Sequence, residues 1–129
     1  MKKILSLMLI FASFTFLTSC SQKEKENEIA QNPLEGTLWS LEDETFYGEK
    51  YINYIEFIDS KNVSFWHTNV GSKYNGTYSI DGNKVKFYNL KDGYYDYTFK
   101  EGTFTSRSLT VYFQHKNNSS IYSDTYVKE

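Results

Sequence analysis

From Pro33 onward, apolar and polar side chains alternate in short runs, the pattern of β-strands that are buried on one face. Val63, Phe65 and His67 alternate with Ser64, Trp66 and Thr68, and Val85 and Phe87 alternate with lysines in the same way. Gly, Asn and Asp interrupt these runs at intervals of about 8 to 12 residues, as turns between short strands do. No segment of this region shows the apolar spacing of an amphipathic helix, so the pattern predicts an all-β domain.

The runs and their turn residues predict about eight strands, near residues 36–43, 51–58, 62–68, 75–81, 84–89, 94–104, 108–115 and 121–127. Asp81-Gly82 predicts a tight hairpin turn, because these residues accept positive φ values. Gly-Thr pairs that begin at residues 36, 76 and 102 are each expected to open a strand. Eight strands suffice to close a sheet on itself. We therefore expect a single small antiparallel up-and-down barrel.

The strand faces predicted to point inward carry large apolar side chains. Such a set predicts an interior filled by side chains, with a ligand at the rim rather than enclosed. The predicted inward positions are Trp39, Ile55, Phe57, Val63, Phe65, Tyr78, Ile80, Val85, Phe87, Leu109, Val111 and Phe113.

Residues 1–19 have a basic start followed by an apolar run that is too short and too early for a spanning helix, which predicts a cleaved secretion signal. Its end, Leu17-Thr18-Ser19-Cys20, resembles the lipobox of bacterial lipoproteins, whose cysteine is acylated with chains such as palmitate. Cys20 is the only cysteine of the 129 residues. We expect Cys20 to anchor the protein to a membrane; the alternative is an ordinary secreted protein.

Residues 21–28 contain no aromatic side chain and are too polar to bury surface. Residues 20–33 are therefore interpreted as a lipidated cysteine and flexible tether, and residues 34–129 as the barrel domain. Ser21 is not the aspartate that resembles an inner-membrane retention signal, which favours the outer membrane of the cell envelope. The charged run is either a spacer or a signal for surface display, so both membrane faces stay open.

The formal net charge is −2 and becomes more negative once Lys2 and Lys3 are removed with the signal. No basic block exists that could neutralise phosphates. Nucleic acid is therefore excluded as an expected partner.

Aromatic side chains are unusually frequent, with 12 Tyr, 10 Phe and 2 Trp. Core filling explains many of them, because each buries a large area. In the run 93–97, strand alternation would place Tyr94 on the face opposite Tyr95 and Tyr97, so at least one should be exposed. Together with Trp66 these tyrosines are the candidate ligand-binding residues, and packing at a sheet edge is the alternative.

Sequence features of catalysis and of metal binding are weak. His67 and His115 are the only histidines, and no His or Cys spacing is typical of a metal site. No Gly-x-Ser-x-Gly motif marks a nucleophile. The acidic residues 42–44 could be paired carboxylates or calcium ligands, but a solvated loop after the first strand is favoured. We expect no cofactor, no metal and no enzymatic activity.

The segments 34–39, 55–57 and 76–78, with the hairpin that follows, resemble the lipocalin-like lipoprotein domains of Gram-negative bacteria. The likeness covers residues 34–127. Lipocalins have Gly-x-Trp in the first strand, whereas this chain has Gly36-x-x-Trp39. Such tryptophans commonly stack under an arginine from the last strand, but the only arginine, Arg107, falls in a predicted turn. The resemblance implies the barrel shape and leaves the ligand class open.

Two functions follow from these patterns. The first is a lipid-anchored, non-enzymatic barrel that binds a small apolar or amphipathic molecule or a carbohydrate. The second is a protein-protein module, such as an envelope inhibitor of a lysozyme or protease, that acts through loops at residues 42–50 and 68–75.

Overall fold

The structure is a computed structural model that describes residues 32–129. Predictions for the signal segment 1–19, for Cys20 and for tether residues 20–31 lie outside the described residues. Residues 32–129 contain no helix that could cross a membrane. Their strands are β1 (Thr37–Glu44), β2 (Lys50–Phe57), β3 (Asn62–His67), β4 (Val70–Asp81), β5 (Lys84–Tyr88), β6 (Lys91–Asp92), β7 (Tyr97–Phe104), β8 (Ser108–His115) and β9 (Ile121–Lys128).

The strands form one antiparallel sheet in the order β5-β4-β3-β2-β1-β9-β8-β7-β6. An additional pairing of β5 with β7 joins the two sides of this sheet. Eight strands therefore close into a barrel, and the two-residue β6 is an extra strand that pairs with β7. The predicted all-β, eight-stranded antiparallel barrel is confirmed.

Two strand starts were predicted wrongly, each because of a local turn. Thr68 and Asn69 alone connect β3 to β4, so β4 begins at Val70 and the predicted loop 68–75 is mostly strand. β7 begins at Tyr97 rather than at residue 94, because residues 93–96 form a turn in which Asp96 has a φ of 58°. The short β6 that precedes this turn was not predicted.

The Gly-Thr pairs do not all open strands as expected. Gly36 precedes β1, whereas Gly76 and Gly102 lie inside β4 and β7. A Cβ at Gly76 would lie 2.7 Å from the Tyr88 carbonyl oxygen, and one at Gly102 would lie 2.6 Å from the Thr110 carbonyl oxygen. Glycine is needed at both positions because neighbouring backbone approaches too closely for a side chain.

The interior is filled largely by the side chains predicted to point inward. All of those positions are buried except Ile80, which is partly buried and packs against the cluster. Leu34, Leu90, Phe99 and Tyr126 complete the core. Bulky side chains on all the inward strand faces leave little room for an enclosed ligand.

The two ends of the barrel differ. The end that we call the closed end contains the connections 58–61, 82–83 and 105–107, together with Leu34 and Glu129. The opposite end, which we call the mouth, contains the connections 45–49, 68–69 and 116–120 and the segment 89–96 that includes β6. Of the candidate ligand-binding residues, Tyr94, Tyr95 and Tyr97 lie at the mouth.

Candidate functional site at the mouth of the barrel

The mouth contains an open cavity of about 810 Å³. Its walls come from the β1–β2 turn, the β3–β4 turn, the turn before β7 and the adjoining ends of β8 and β9. The lining residues are Asp43, Glu44, Thr45, Phe46, Tyr47, Glu49, Tyr51, Asn69, Tyr94, Tyr95, Tyr97, Phe113, Tyr122, Ser123 and Asp124. This volume is in the range of pockets that hold small organic ligands.

Below the mouth the barrel narrows to a cavity of about 60 Å³. Phe65, Phe99, Phe113 and Tyr126 are among the side chains that surround it. This space is enough for only about two water molecules at their liquid volume. The mouth is therefore a shallow cup above a filled core, and a ligand would bind at the rim.

Tyrosine rings form one wall of the cup. The ring centroids of Tyr94 and Tyr95 are 4.7 Å apart, and those of Tyr95 and Tyr97 are 6.4 Å apart. Tyr97 also contacts Phe113 at 4.9 Å and Tyr122 at 6.1 Å. Rings at these separations hold one another in place. The wall is thus a continuous aromatic surface built from three chain segments.

The turn 93–96 places two of these tyrosines. Asp92 Oδ1 accepts hydrogen bonds from the backbone N–H groups of Tyr94 at 3.0 Å and Tyr95 at 3.4 Å. The Asp96 carbonyl accepts a further bond from the Lys116 N–H at 2.9 Å. Because this segment is a turn and not a strand, the predicted alternation was wrong. Tyr94, Tyr95 and Tyr97 all line the same cavity, and Tyr94 remains 58% exposed.

Carboxylates line another part of the cup. Asp43 and Asp124 lie on β1 and β9, and Glu44 and Glu49 lie at the rim. Asp43 Oδ2 accepts a hydrogen bond from the Tyr51 hydroxyl at 3.2 Å. The residues that line this cavity include no Lys, Arg or His among the described part of the chain. The cup is therefore strongly acidic.

The acidic residues affect the ionisation of their neighbours. Burial, followed by the negative charge of Asp43, raises the pKa of Asp124 above its usual value. Burial and Asp43 likewise raise the pKa of Tyr51, and burial is the main reason why the pKa of Tyr97 is raised. Each shift indicates that adding negative charge at the mouth is unfavourable.

A hairpin turn at the rim exposes two aromatic side chains. The Thr45 N–H donates to the Glu49 carbonyl at 2.8 Å and the Gly48 N–H donates to the Thr45 carbonyl at 3.0 Å. Gly48 has a φ of 84°, which closes a turn of this kind without strain. The turn holds Phe46 and Tyr47 at 98% and 90% exposure, with their rings edge to face at 5.6 Å.

His67 supports the mouth from beneath. Its side chain has 0% exposure, its Nδ1 contacts Asn69 Oδ1, and its ring packs against Tyr94 and Tyr95. The Nε2 atom lies 3.6 Å from Asp92 Oδ1 and has no hydrogen-bond partner among residues 32–129. A ligand in the cup cannot reach this buried ring, so in this geometry the His67–Asp92 pair positions the tyrosine turn.

The remaining candidate residues lie elsewhere. Trp66 is on the outward face of β3, where it stacks on Tyr54 at 5.2 Å and lies 4.1 Å below the Lys73 ammonium. The expectation that Trp66 joins the tyrosines was therefore wrong, because residue 66 alternates with the inward-facing residues 65 and 67.

Within residues 32–129, no three His, Cys, Asp or Glu side chains are arranged to hold a metal ion.

The acidic run 42–44 is not in a loop after the first strand, as expected, but forms the end of β1 itself. The connection to β2 is only residues 45–49. Asp124 was missed as a site residue, and Asp43 was considered only as part of the acidic run 42–44, for which a solvated loop was favoured. Period 2 could have found them, because Asp43 continues the inward set of Trp39 and Leu41, and Asp124 lies between Tyr122 and Tyr126.

Comparison with known proteins assigns no function to this cup. No family model, no curated protein and no solved structure matches the chain. A function must therefore be inferred from the residues of the mouth themselves.

Proposed function

We propose that this protein is a non-enzymatic, lipid-anchored envelope protein whose barrel mouth binds a small apolar or amphipathic molecule or a carbohydrate. The observation that carries the proposal is the open cavity of about 810 Å³ walled by Tyr94, Tyr95 and Tyr97. Aromatic faces bind apolar surfaces and sugar rings, and tyrosine hydroxyls add polar contacts. The lipocalin-like resemblance of the sequence supports the barrel shape and leaves the ligand class open.

The ligand can be sought by native mass spectrometry of the full-length protein purified from its own envelope. We expect a discrete small-molecule mass that is lost when the protein unfolds. The adduct should be lost in Tyr95→Ala but retained in Tyr88→Ala, because Tyr88 is a partly exposed tyrosine of β5 that does not line the cup. An adduct that persists in Tyr95→Ala would contradict binding at the mouth.

The lipid anchor at Cys20 is part of the proposal and has its own test. Cys20→Ala should move the protein from the membrane fraction to the soluble fraction. An acyl chain contributes about 0.8 kcal/mol for each buried methylene, so loss of the anchor should leave little membrane affinity. Continued membrane association of the variant would contradict lipidation at this residue.

A second candidate function is a protein-protein module, and the hairpin turn 45–49 is the observation that favours it. Phe46 and Tyr47 are large and exposed, and aromatic anchors of this type dominate protein interfaces. If native mass spectrometry yields a co-purifying envelope protein instead of a small molecule, Phe46→Ser should weaken that association.

A further inference from the structure

The cup joins an aromatic wall to an acidic wall, and this combination restricts the charge of a ligand. Tyr95, Tyr97 and Tyr122 supply ring faces, whereas Asp43 and Asp124 supply carboxylates from the neighbouring strands. Aromatic rings attract cations through their quadrupole, and carboxylates attract them through charge. An anion would meet repulsion from both walls.

The carboxylates of the cup are not neutralised within the described part of the chain. Ion pairs in residues 32–129 join Lys50 to Glu42 and Lys73 to Glu56, and His67 Nε2 lies 3.6 Å from Asp92 Oδ1. None of these pairs includes the carboxylates that line the cavity, which are Asp43, Glu44, Glu49 and Asp124. The cup therefore stands out as a place where negative charge accumulates.

The burial of Asp124 makes its negative charge unfavourable. Asp124 lies between the buried Tyr126 and the aromatic side chain of Tyr122 on the inward face of β9. Its raised pKa results first from that burial and then from the negative charge of Asp43. A bound cation would offset both effects, because it would supply the opposite charge that the carboxylate lacks.

The dimensions of the site favour an organic cation. The cavity of about 810 Å³ is far larger than a metal ion and is floored partly by the apolar ring of Phe113. The exposed ring of Phe46 adds apolar surface at the rim. A ligand that fits all of these walls has a positively charged amine on an apolar body.

We propose that the barrel mouth binds a small organic cation, a protonated or quaternary amine with an apolar portion. The ammonium lies between the carboxylates of Asp43 and Asp124 and the rings of Tyr95 and Tyr97, and the apolar portion packs against Phe113. This inference rests on the proposed ligand-binding function and specifies the chemical class of its ligand.

The test compares two probes of nearly equal shape that differ only in charge. Acetylcholine has a trimethylammonium group, and 3,3-dimethylbutyl acetate has a neutral tert-butyl group in its place. Binding of each to the full chain is measured at low salt by ligand-observed NMR. We expect acetylcholine to bind about tenfold more tightly, equivalent to 1.4 kcal/mol, and to lose this advantage as ionic strength rises.

Variants of single carboxylates test which residues cause the preference for the cationic probe. Asp124→Asn and Asp43→Asn should each weaken acetylcholine binding several-fold and leave the neutral probe unchanged, because asparagine retains the shape without the charge. Glu42→Gln is the matched control, since it removes one charge from β1 outside the cup. A reduction by Glu42→Gln equal to that by Asp43→Asn would overturn the proposal, because it would show an effect of net charge alone.

The outcomes separate this inference from the proposed function. If both probes bind with equal affinity and neither binds to Tyr95→Ala, the proposal of a cationic ligand is overturned, but the proposal that the cup binds ligands is retained. If neither probe binds, the proposal of an organic cation is overturned. A protein that carries no small-molecule adduct in native mass spectrometry would count separately against the proposed binding function. Calcium ion alone is the third probe, and calcium binding that is lost in Asp124→Asn would replace the organic cation by a metal ion.

Discussion

The closed end and the mouth of this barrel are built from the same strands but from different side chains. At the closed end, Trp39 and Phe57 are buried, and Trp39 Nε1 donates to Thr37 Oγ1 at 2.8 Å. At the mouth, Asp43 occupies an inward position farther along β1 from Trp39, and Asp124 occupies one on the adjacent strand β9. The closed end satisfies its polar groups internally, whereas the mouth leaves its carboxylates available. The buried Trp39 and Phe57 and the proposed binding cup therefore lie at opposite ends of one sheet.

The largest expected effect is at the closed end. Trp39→Ala should lower the free energy of unfolding by about 3–5 kcal/mol, because it leaves a large cavity in the core. Trp66→Ala is the matched control, since its ring lies on the outside of β3, and should cost roughly 1 kcal/mol. Urea denaturation measures both. Similar losses in the two variants would contradict the assignment of Trp39 to the core.

The barrel wall between the two ends should show an effect of intermediate size. Gly76→Ala should destabilise the protein by about 1–3 kcal/mol, because its Cβ would collide with the Tyr88 carbonyl and with Leu90. At Gly71, on the same strand β4, an added Cβ would meet no atom within 4 Å. Gly71→Ala should therefore leave the urea midpoint nearly unchanged, and equal destabilisation by both would argue against the observed packing.

At the mouth, removal of a charge should stabilise the protein. The pKa of Asp124 is raised in the folded state by burial and then by Asp43, so folding becomes less favourable as Asp124 ionises. Below its ordinary pKa of 3.8, Asp124→Asn should match the wild type. As the pH rises through the raised pKa, the variant should become more stable by about 0.5 kcal/mol, since solvent screens a half-exposed charge.

A carboxylate at the closed end should behave in the opposite way. Hydrogen bonds from the side chain and backbone of Asn62, and from the backbone of Lys61, lower the pKa of Asp59. Its stabilising contribution is therefore present above pH 3.8 and is lost as the pH falls through the lowered pKa. Urea denaturation at pH 3 and pH 7 checks both variants. Asp59→Asn should be less stable than the wild type at pH 7, and a shift of the same sign in Asp124→Asn would contradict the comparison.

The smallest effect on stability is expected at the hairpin turn of the mouth. Phe46 and Tyr47 contact mainly each other, so replacing both with serine should change the free energy of unfolding by less than about 0.5 kcal/mol. Urea denaturation checks this value. A larger loss of unfolding free energy would mean that the two rings pack against the barrel. A lower affinity for the ligand without loss of stability would show that the two rings take part in binding.

The sequence pattern was sufficient for the barrel but not for the site. The two-residue period identified the strands and the inward core positions, because side chains two residues apart, such as Val63, Phe65 and His67, face the same side of a strand. It failed at residues 93–96, where Asp92 and the positive φ of Asp96 create a turn that places adjacent tyrosines in one cavity. Antiparallel alternation decides which connections share the mouth, but the distances between side chains across it depend on the register with which β5 pairs with β7, and no local pattern encodes that register.

The position of Glu129 has a practical consequence for measurements on this protein. Glu129 lies at the closed end, where its N–H donates to the Leu38 carbonyl at 2.9 Å and follows the pairing of β9 with β1. A biotin tag or fluorescent label attached after Glu129 would therefore immobilise the barrel with its tyrosine cup facing the solution. Sensor surfaces and single-molecule experiments could then observe ligand exchange without obstruction by the support.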